Sequence, residues 1–528
     1  MISRTTLSLF YSEQMKTSSI PYPNRAGLPT TGCNAPLKEE AARKQHHDQQ
    51  SCAASFRLLR ICCNLILPVL IFFHSTNVPV AVAIQTSRQR SATERSSPRP
   101  SAQDEAFLED LSRRSFQYFL EHSNPQTGLT LDRARADGSP YPADTSNHNV
   151  ASIASTGFGL TALCIAAERG WVMRDEARRR VVTTLDFFAN RATNERGWFY
   201  HFVDAETGER RWRSEISSID TALLLGGVLT ARQCFARDPE VVRLADFIYR
   251  RVDFVWMLNG HPSILAHGWK PETGFLKARW GTYDEHLILQ LLAIGSPTHP
   301  ISPRSWRGWA QTRITYKEFT FIAPSSSPQS GNPLFVHQFS HAWVDFRGRR
   351  EDWYPFTNYF ENSVAATRAQ QAFSANELAR EFPASYGENL WGITASDSAK
   401  GYIAWGAPPR DPQIDGTLVP CAPAGSLMFT PDISLATLRT MHERFGERIY
   451  KRYGFVDAFN PTTNWVNADV IGIDLGVTLL SAENLRTGNV WRWFMRNPEI
   501  PRAMDAVGLR QTSKGAKGNR QKLRPIAA

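Results

Sequence analysis

What most constrains this chain is a succession of helix-period apolar stripes that runs from about Ala106 to Leu509 with no low-complexity break. Leu108, Leu111, Phe116, Phe119 and Leu120 share one face of a helix, and the spacing predicts further helices near 151–169, 174–191, 217–236, 239–258, 283–294, 356–381, 432–447 and 475–495. An amphipathic helix must cover its apolar stripe with another element, so this many helices with little strand predicts an all-α body, either a closed α-barrel or a solenoid. No fixed repeat of roughly 34 or 40 residues is present, which disfavours the solenoid. One β-hairpin is expected to intrude, with arms at Gly197–Val203 and Glu209–Arg213 around a turn at Asp204–Gly208.

Charge is distributed unevenly. Residues 1–100 hold twelve basic against five acidic side chains, and 510–528 hold six basic and no acidic ones, which leaves 101–509 at −3 although the chain as a whole is +10. The basic balance therefore sits in the flanks and nothing marks the body as a nucleic-acid binder, and 510–528 read as a disordered basic tail. Four of the seven cysteines precede the body; Cys164, Cys234 and Cys421 are scattered within it, which excludes a disulfide framework and a C-x-x-C metal site. Buried free thiols are the expectation, with room for one disulfide.

Phe56 to Ala83 has the layout of an export signal: Arg57 and Arg60, the apolar run Ile61–Phe73, then Ala81-Val82-Ala83, with cleavage expected after Ala83. The alternative is an uncleaved anchor over 61–83. Residues 1–55, with no apolar period, read as disordered or untranslated, and 84–104 as a polar linker ahead of a body spanning 105–509. The expected location is periplasmic or secreted, with membrane contact only through the amino-terminal segment, and the expected state is a monomer.

Acids gather where helices begin. Glu215 lies just before a helix whose entry, Ser217 and Asp220, matches a capping box, so Asp220 has a structural reason to be there and Glu215 has none. Thr282 and Glu285 form a second such match, and Asp474 could cap the helix after Asn467–Gly476. The segment Tyr386–Asp397 mixes glycine, aromatics and acids. Acids beside aromatic walls suit glycosidic cleavage, where one carboxyl of raised pKa protonates the leaving oxygen and a second activates water or attacks carbon. The 15 Trp offer flat amphipathic faces for sugar rings, although large helical cores also use Trp. Other chemistries lack their signatures: there is no G-x-S-x-G, G-x-G-x-x-G or P-loop, and His337 and His341 lack the glutamate of a zinc-protease helix. No metal or other cofactor is expected.

In ordered stretches across roughly 105–509 the chain resembles the glycoamylase-like family, which is related to bacterial endo-β-1,2-glucanases and to the hydrolase-like domain of cyclic β-1,2-glucan synthases. The stretches are Ala154–Leu160, Glu215–Leu225, Gly295–Pro300, Phe335–Arg347, Asn358–Ser363, Trp391–Asp397, Tyr453–Phe455 through Phe459–Pro461, and Phe494–Pro498. The resemblance implies an (α/α)6 barrel, with the hairpin as a small insertion at the cleft mouth. It also implies inverting hydrolysis of a glucan, β-1,2-linked or its oligosaccharides, so an oligo- or polysaccharide is the expected partner. By that likeness Glu215 is the catalytic acid, and Asp397, then Asp474, the candidates for the base. Asp132, Asp144, Trp280, Glu285, His341, Glu388 and Trp391 are the expected substrate contacts. Ser398-Ala399-Lys400 after Asp397 departs from the family's Gly-Pro at that place. A non-catalytic glycan binder and a polysaccharide lyase on the same barrel are the alternatives.

Overall fold

The computed structural model describes residues 100–324 and 331–512, and the expected signal, the amino-terminal stretch and most of the basic tail lie outside them. In chain order the principal helices are α1 (Ala102–His122), α2 (Ile153–Glu168), α3 (Arg174–Asp186), α4 (Ser218–Cys234), α5 (Pro239–Arg250), α6 (Leu287–Gly295), α7 (Phe335–Trp343), α8 (Tyr359–Phe373), α9 (Cys421–Gly425), α10 (Pro431–Phe445), α11 (Gly472–Arg486), α12 (Asn489–Phe494) and α13 (Glu499–Ala506). α1 starts inside the expected linker because Ser101 and Asp104 close a capping box, each side chain bonding the other's backbone N–H.

Two classes of helix are distinguishable by burial. α2, α4, α6, α7, α9 and α11 are buried nearly all round, whereas α1, α3, α5 and α10 bury one stripe. Among the buried six, α2 packs on α4, α4 on α6, α6 on α7, α7 on α9, α9 on α11, and α11 back on α2. The others back them: α1 on α2 and α11, α3 on α2, α5 on α4, α13 on α6, α8 on α7 and α10 on α9.

The closest of these contacts is α2 against α4. A Cβ added at Gly157 would lie 2.3 Å from the Leu223 carbonyl oxygen, and one at Gly227 would lie 2.1 Å from the Gly157 carbonyl oxygen. The two backbones therefore touch, which only glycine permits.

Departures from the expected elements have local causes. The 239–258 helix stops at Arg250, and Asp253 accepts from the Trp256 N–H to start a separate turn at Phe254. The 475–495 helix breaks at Gly488, whose φ of +66° ends α11 before α12. α7 was not expected: its apolar Phe335, Val336, Phe339, Ala342 and Trp343 and its polar His337, Gln338, Ser340 and His341 do take opposite sides, but nine residues are too short a window for the period to stand out, and both sides are buried. The expected hairpin forms only next to its turn, where Val203 bridges Arg210, the Asp204 N–H donates to the Glu209 carbonyl and the Arg211 N–H to the Phe202 carbonyl, while Phe202–Asp204 also pairs with Val150–Ser152. The longest strands form a hairpin that was not expected, Thr312–Tyr316 with Phe319–Ala323, turning at Lys317 with φ +51° and packing on α8.

Short strands also run directly into three of the buried helices: Val150–Ser152 into α2, Ile216–Ser217 into α4, and Asp469–Ile471 into α11. Ladders and single bridges tie these entries side by side. Asp469–Ile471 pairs with Arg133–Arg135, Leu131 bridges Ala151, Phe202–Asp204 pairs with Val150–Ser152, Tyr200 bridges Ile216, and Ile216–Ser217 pairs with Gly268–Lys270. A narrow belt of β structure thus crosses the end of the molecule where these helices start.

If the α2–α4 backbone contact sets the helix spacing, Gly227→Ala should cost about 1–3 kcal/mol of stability through overpacking. Denaturant unfolding checks this, and an unchanged midpoint would contradict the contact.

Candidate active site

The belt brings together residues that lie far apart in the chain. His201, between two bridged strands, is sandwiched by carboxylates: Nδ1 is 3.1 Å from Glu215 Oε1 and Nε2 is 3.3 Å from Asp220 Oδ1. Its ring stacks on Phe202 with centroids 3.7 Å apart. All three members are buried. Ser217 caps α4 as expected, its hydroxyl bonding both the Asp220 N–H and carboxylate. Asp220 therefore serves the helix start and faces the imidazole at once, in the first turn where the helix dipole favours an anion.

Burial disfavours charge on each of these groups, and the outcome differs among them. For His201, burial is outweighed by the charge of Asp220 and by the bond and charge of Glu215, so its pKa rises to about 9. For Glu215, burial is outweighed by the hydrogen bond and charge of His201, which hold the carboxyl below its ordinary value. For Asp220 burial wins over His201 and Ser217, and the pKa rises. The sequence expectation of a raised acid is thus met by Asp220 and reversed at Glu215 in the unliganded protein.

A second cluster lies along the belt. Arg133 donates from Nε to Asp132 (3.2 Å) and from Nη1 to Asp397 Oδ2 (2.8 Å). Asn467 Nδ2 donates to Asp397 Oδ2 (3.0 Å) and to Asp457 Oδ2 (2.9 Å), and Asp457 Oδ2 also accepts from the Asp397 backbone N–H (2.9 Å). Asp457 and Asp474 lie close enough for their carboxyls to act directly on one another. Burial, then the neighbouring Asp397 and Asp474 charges, push Asp457 well up, and burial first of all raises Asp474 to about 6. Two buried carboxyls in contact cannot both ionise cheaply, so they share a proton. Asp132 links the clusters, because its charge also acts on His201, Asp220 and Asp474.

The sequence-predicted residues divide accordingly. Glu215, Asp132, Asp397 and Asp474 are brought to the belt. Asp474 sits in the first turn of α11 and is not its cap, which falls at Ile471. Glu285 lies near Asp220, and burial followed by the Asp284 and Asp220 charges raises it well above the ordinary range. Its capping box with Thr282 does not form, because α6 begins only at Leu287. Trp280 is buried, donating Nε1–H to Ser218 Oγ (2.9 Å) and stacking on His267 at 3.9 Å, so it supports the α4 entry and presents no open face.

The other expected contacts are not members of these two clusters. Asp144 is exposed on a turn, and it is Tyr141 of the same loop that reaches Asp469. Glu388 is exposed on a turn whose carbonyl accepts from Gln371 of α8. Trp391 is fully buried among Ile314, Phe321, Leu334 and Ala366. His341 is buried near the end of α7 against Phe346 and Phe429. Aromatic residues in glycine-rich stretches look alike whether they pack or bind, which is why Trp391 was read as a contact.

His201, Arg133, Asp457 and Asn467 were missed. Asp457 and Asn467 flank stretches that carry the family likeness, so they were within reach; His201 sat in an apparent hairpin arm. Nor does the crevice between α1 and α3 compete as a site: its single acid, Glu176, is tied to Arg179 and Arg180. By atom spacing alone His201, Glu215 and Asp220 could also hold a cation, which would have to displace the imidazole proton.

The pKa of His201 is raised on folding, so its proton contributes stability that is fully present below the unfolded value of about 6.5 and is lost as pH rises through about 9. The stability difference between the wild type and His201→Asn should therefore shrink across that window, as denaturant unfolding at a series of pH values would show. A constant difference would mean that His201 is not charged.

With this geometry in view, comparison with known proteins is informative. The family model Glycoamylase, described as "Putative glucoamylase", matches residues 277–498, which include Glu285, Asp397, Asp457 and Asp474 but not Glu215. An exo β-1,2-glucooligosaccharide sophorohydrolase (non-reducing end) of Parabacteroides distasonis is 26% identical over 436 residues, covering 76% of this chain and 58% of that protein. The match thus spans little more than half of the curated relative. An endo-β-1,2-glucanase from Chitinophaga pinensis, solved with sophorotriose and glucose, is 27% identical with a TM-score of 0.69, covering 77% of this chain and 98% of its own. A protein from Bacteroides fragilis under the same description as the family model is 29% identical with a TM-score of 0.70, covering 79% and 100%. These matches bear out the likeness to the glycoamylase-like proteins that the motifs carried.

Proposed function

We propose that this protein is an exported glycoside hydrolase that cleaves a glucan, β-1,2-linked or its oligosaccharides, by an inverting two-carboxylate mechanism on an (α/α)6 barrel. The observation that carries the reading is the convergence of Glu215, Asp220, Asp132 and Asp397 on the belt where the buried helices begin, in a chain similar along most of its length to enzymes of that substrate class. The return of α11 to α2 among the six buried helices, with others backing them, supports the barrel.

Glu215 is the acid in this reading. In the resting site it is ionised beside the His201 imidazolium, and a sugar covering the site removes water from that pair. Low polarity favours the neutral pair over the charged one, so the Nδ1 proton passes to Glu215 Oε1. The Nε2–H of the now neutral imidazole continues to donate to Asp220. Glu215 then gives its proton to the glycosidic oxygen as the bond to the anomeric carbon breaks. Asp397 takes a proton from the attacking water, with Arg133 and Asn467 fixing its carboxylate. Asp474, paired with Asp457 behind it, acts as support for that arrangement. Inversion needs about 6.5–9.5 Å between acid and base to admit the water.

Incubation with a panel of α- and β-glucans, including β-1,2-glucan and starch, with product anomers followed by NMR, tests linkage and stereochemistry together. β-1,2-Glucan should be cleaved with inversion; binding without turnover, or an unsaturated product, would replace the reading with a glycan binder or a lyase. Glu215→Gln and Asp397→Asn should each lower kcat by roughly 10²–10⁴-fold with substrate binding largely kept. Amino-terminal sequencing of the mature protein tests export, which predicts a start at Ile84.

A further inference from the structure

The contact that joins α2 to α4 has a consequence two turns further along. Gly157 and Gly227 touch through their backbones, and seven residues on from each stand Cys164 and Cys234. Both helices set out from the belt side by side, the Ile153 N–H bonding the His201 carbonyl and Thr221 Oγ1 accepting from the Phe199 N–H, so equal steps along each keep the partners level. Both cysteines are buried free thiols, Cys164 fully and Cys234 at the last turn of α4 with 9% exposure.

We propose that Cys164 and Cys234 are a redox pair that closes to a disulfide, clamping the two helices whose entries carry Ser152 and Asp220. The equal seven-residue steps from the glycine contact bring the two cysteines to one level of the α2–α4 seam; burial, and then the neighbouring Cys234, hold the Cys164 thiol well above its ordinary pKa. Closure is therefore slow at neutral pH and faster in alkali, because the thiolate is the reacting form. The co-reactant is a small-molecule or protein disulfide of an oxidising compartment. The thiolate of Cys234, nearer the surface, attacks one sulfur of that disulfide and expels the other as a thiolate. The thiolate of Cys164 then attacks the mixed disulfide, forming the Cys164–Cys234 bond and expelling the second. The two S–H protons pass through solvent to the two expelled thiolates, so the two electrons and two protons together reduce the co-reactant to two thiols. Cys421, adjoining Asp457 and Asp474 on the α9 side, takes no part.

The test uses the full chain, incubated with oxidised glutathione at mildly alkaline pH, or unfolded and refolded in that redox buffer. Free thiols are then blocked with a maleimide, and the protein is digested without reductant. The expected product is one cross-linked peptide pair that contains Cys164 and Cys234, lighter than the separate peptides by two hydrogens. The oxidised protein should also unfold several degrees above the reduced one, a difference abolished in Cys234→Ser. Maleimide on both cysteines after both treatments, or either cysteine joined instead to Cys421 or to an amino-terminal cysteine, would overturn the proposal.

Discussion

The backbone contact between α2 and α4 at Gly157 and Gly227 is the constraint on which the site depends. Without side chains at the crossing, the two helices approach until carbonyl and Cα atoms touch, and their entry strands fall close enough for Phe202–Asp204 and Tyr200 to reach both. His201 lies in the residues that bridge them, and this is what sets its imidazole between Glu215, ahead of α4, and Asp220, in its first turn. A methyl group at either glycine would part the helices and loosen an electrostatic cluster several residues away.

Around that contact the acids are held in two ways. On one side a single cation is shared by Glu215 and Asp220, so the protonation of each depends on the other. On the other, Arg133 and Asn467 hold Asp397 while the close pair of Asp457 and Asp474 stands behind it. Buried acids survive there because each has a cation, an amide or a shared proton, and because Asp220 and Asp474 sit at the starts of helices whose dipoles favour negative charge. Asp132 joins the two sides through Arg133 and through its field on His201.

Where the reading of the sequence succeeded or failed follows from the range of each signal. Ser217 with Asp220 is a local device, and Ser217 caps α4 as read, although the Asp220 carboxylate bonds the serine hydroxyl and not its backbone N–H, whereas Thr282 with Glu285 has the same spacing and forms no cap because α6 starts later. α7 escaped notice because its helical period runs for only nine residues. Trp280 and Trp391 were read as sugar platforms from their neighbours in the chain, yet one supports the α4 entry and the other lies in a core cluster, a distinction made by contacts remote in sequence. Asp144 and Glu388 are exposed acids on turns, indistinguishable in sequence from acids that face a cleft.

By itself, then, the sequence determined the helical class, the places where most helices begin, the body's slightly acidic net charge, and the ordered motifs that mark its relatives. These are local or compositional properties, and a few residues carry each. Tertiary structure alone decided that Glu215 is held ionised by His201, that Asp397 is fixed by Arg133 and Asn467, and that Asp474 shares a proton with Asp457. Such facts depend on distance and burial, and residues hundreds of positions apart acquire these only when the buried helices pack and their entry strands pair.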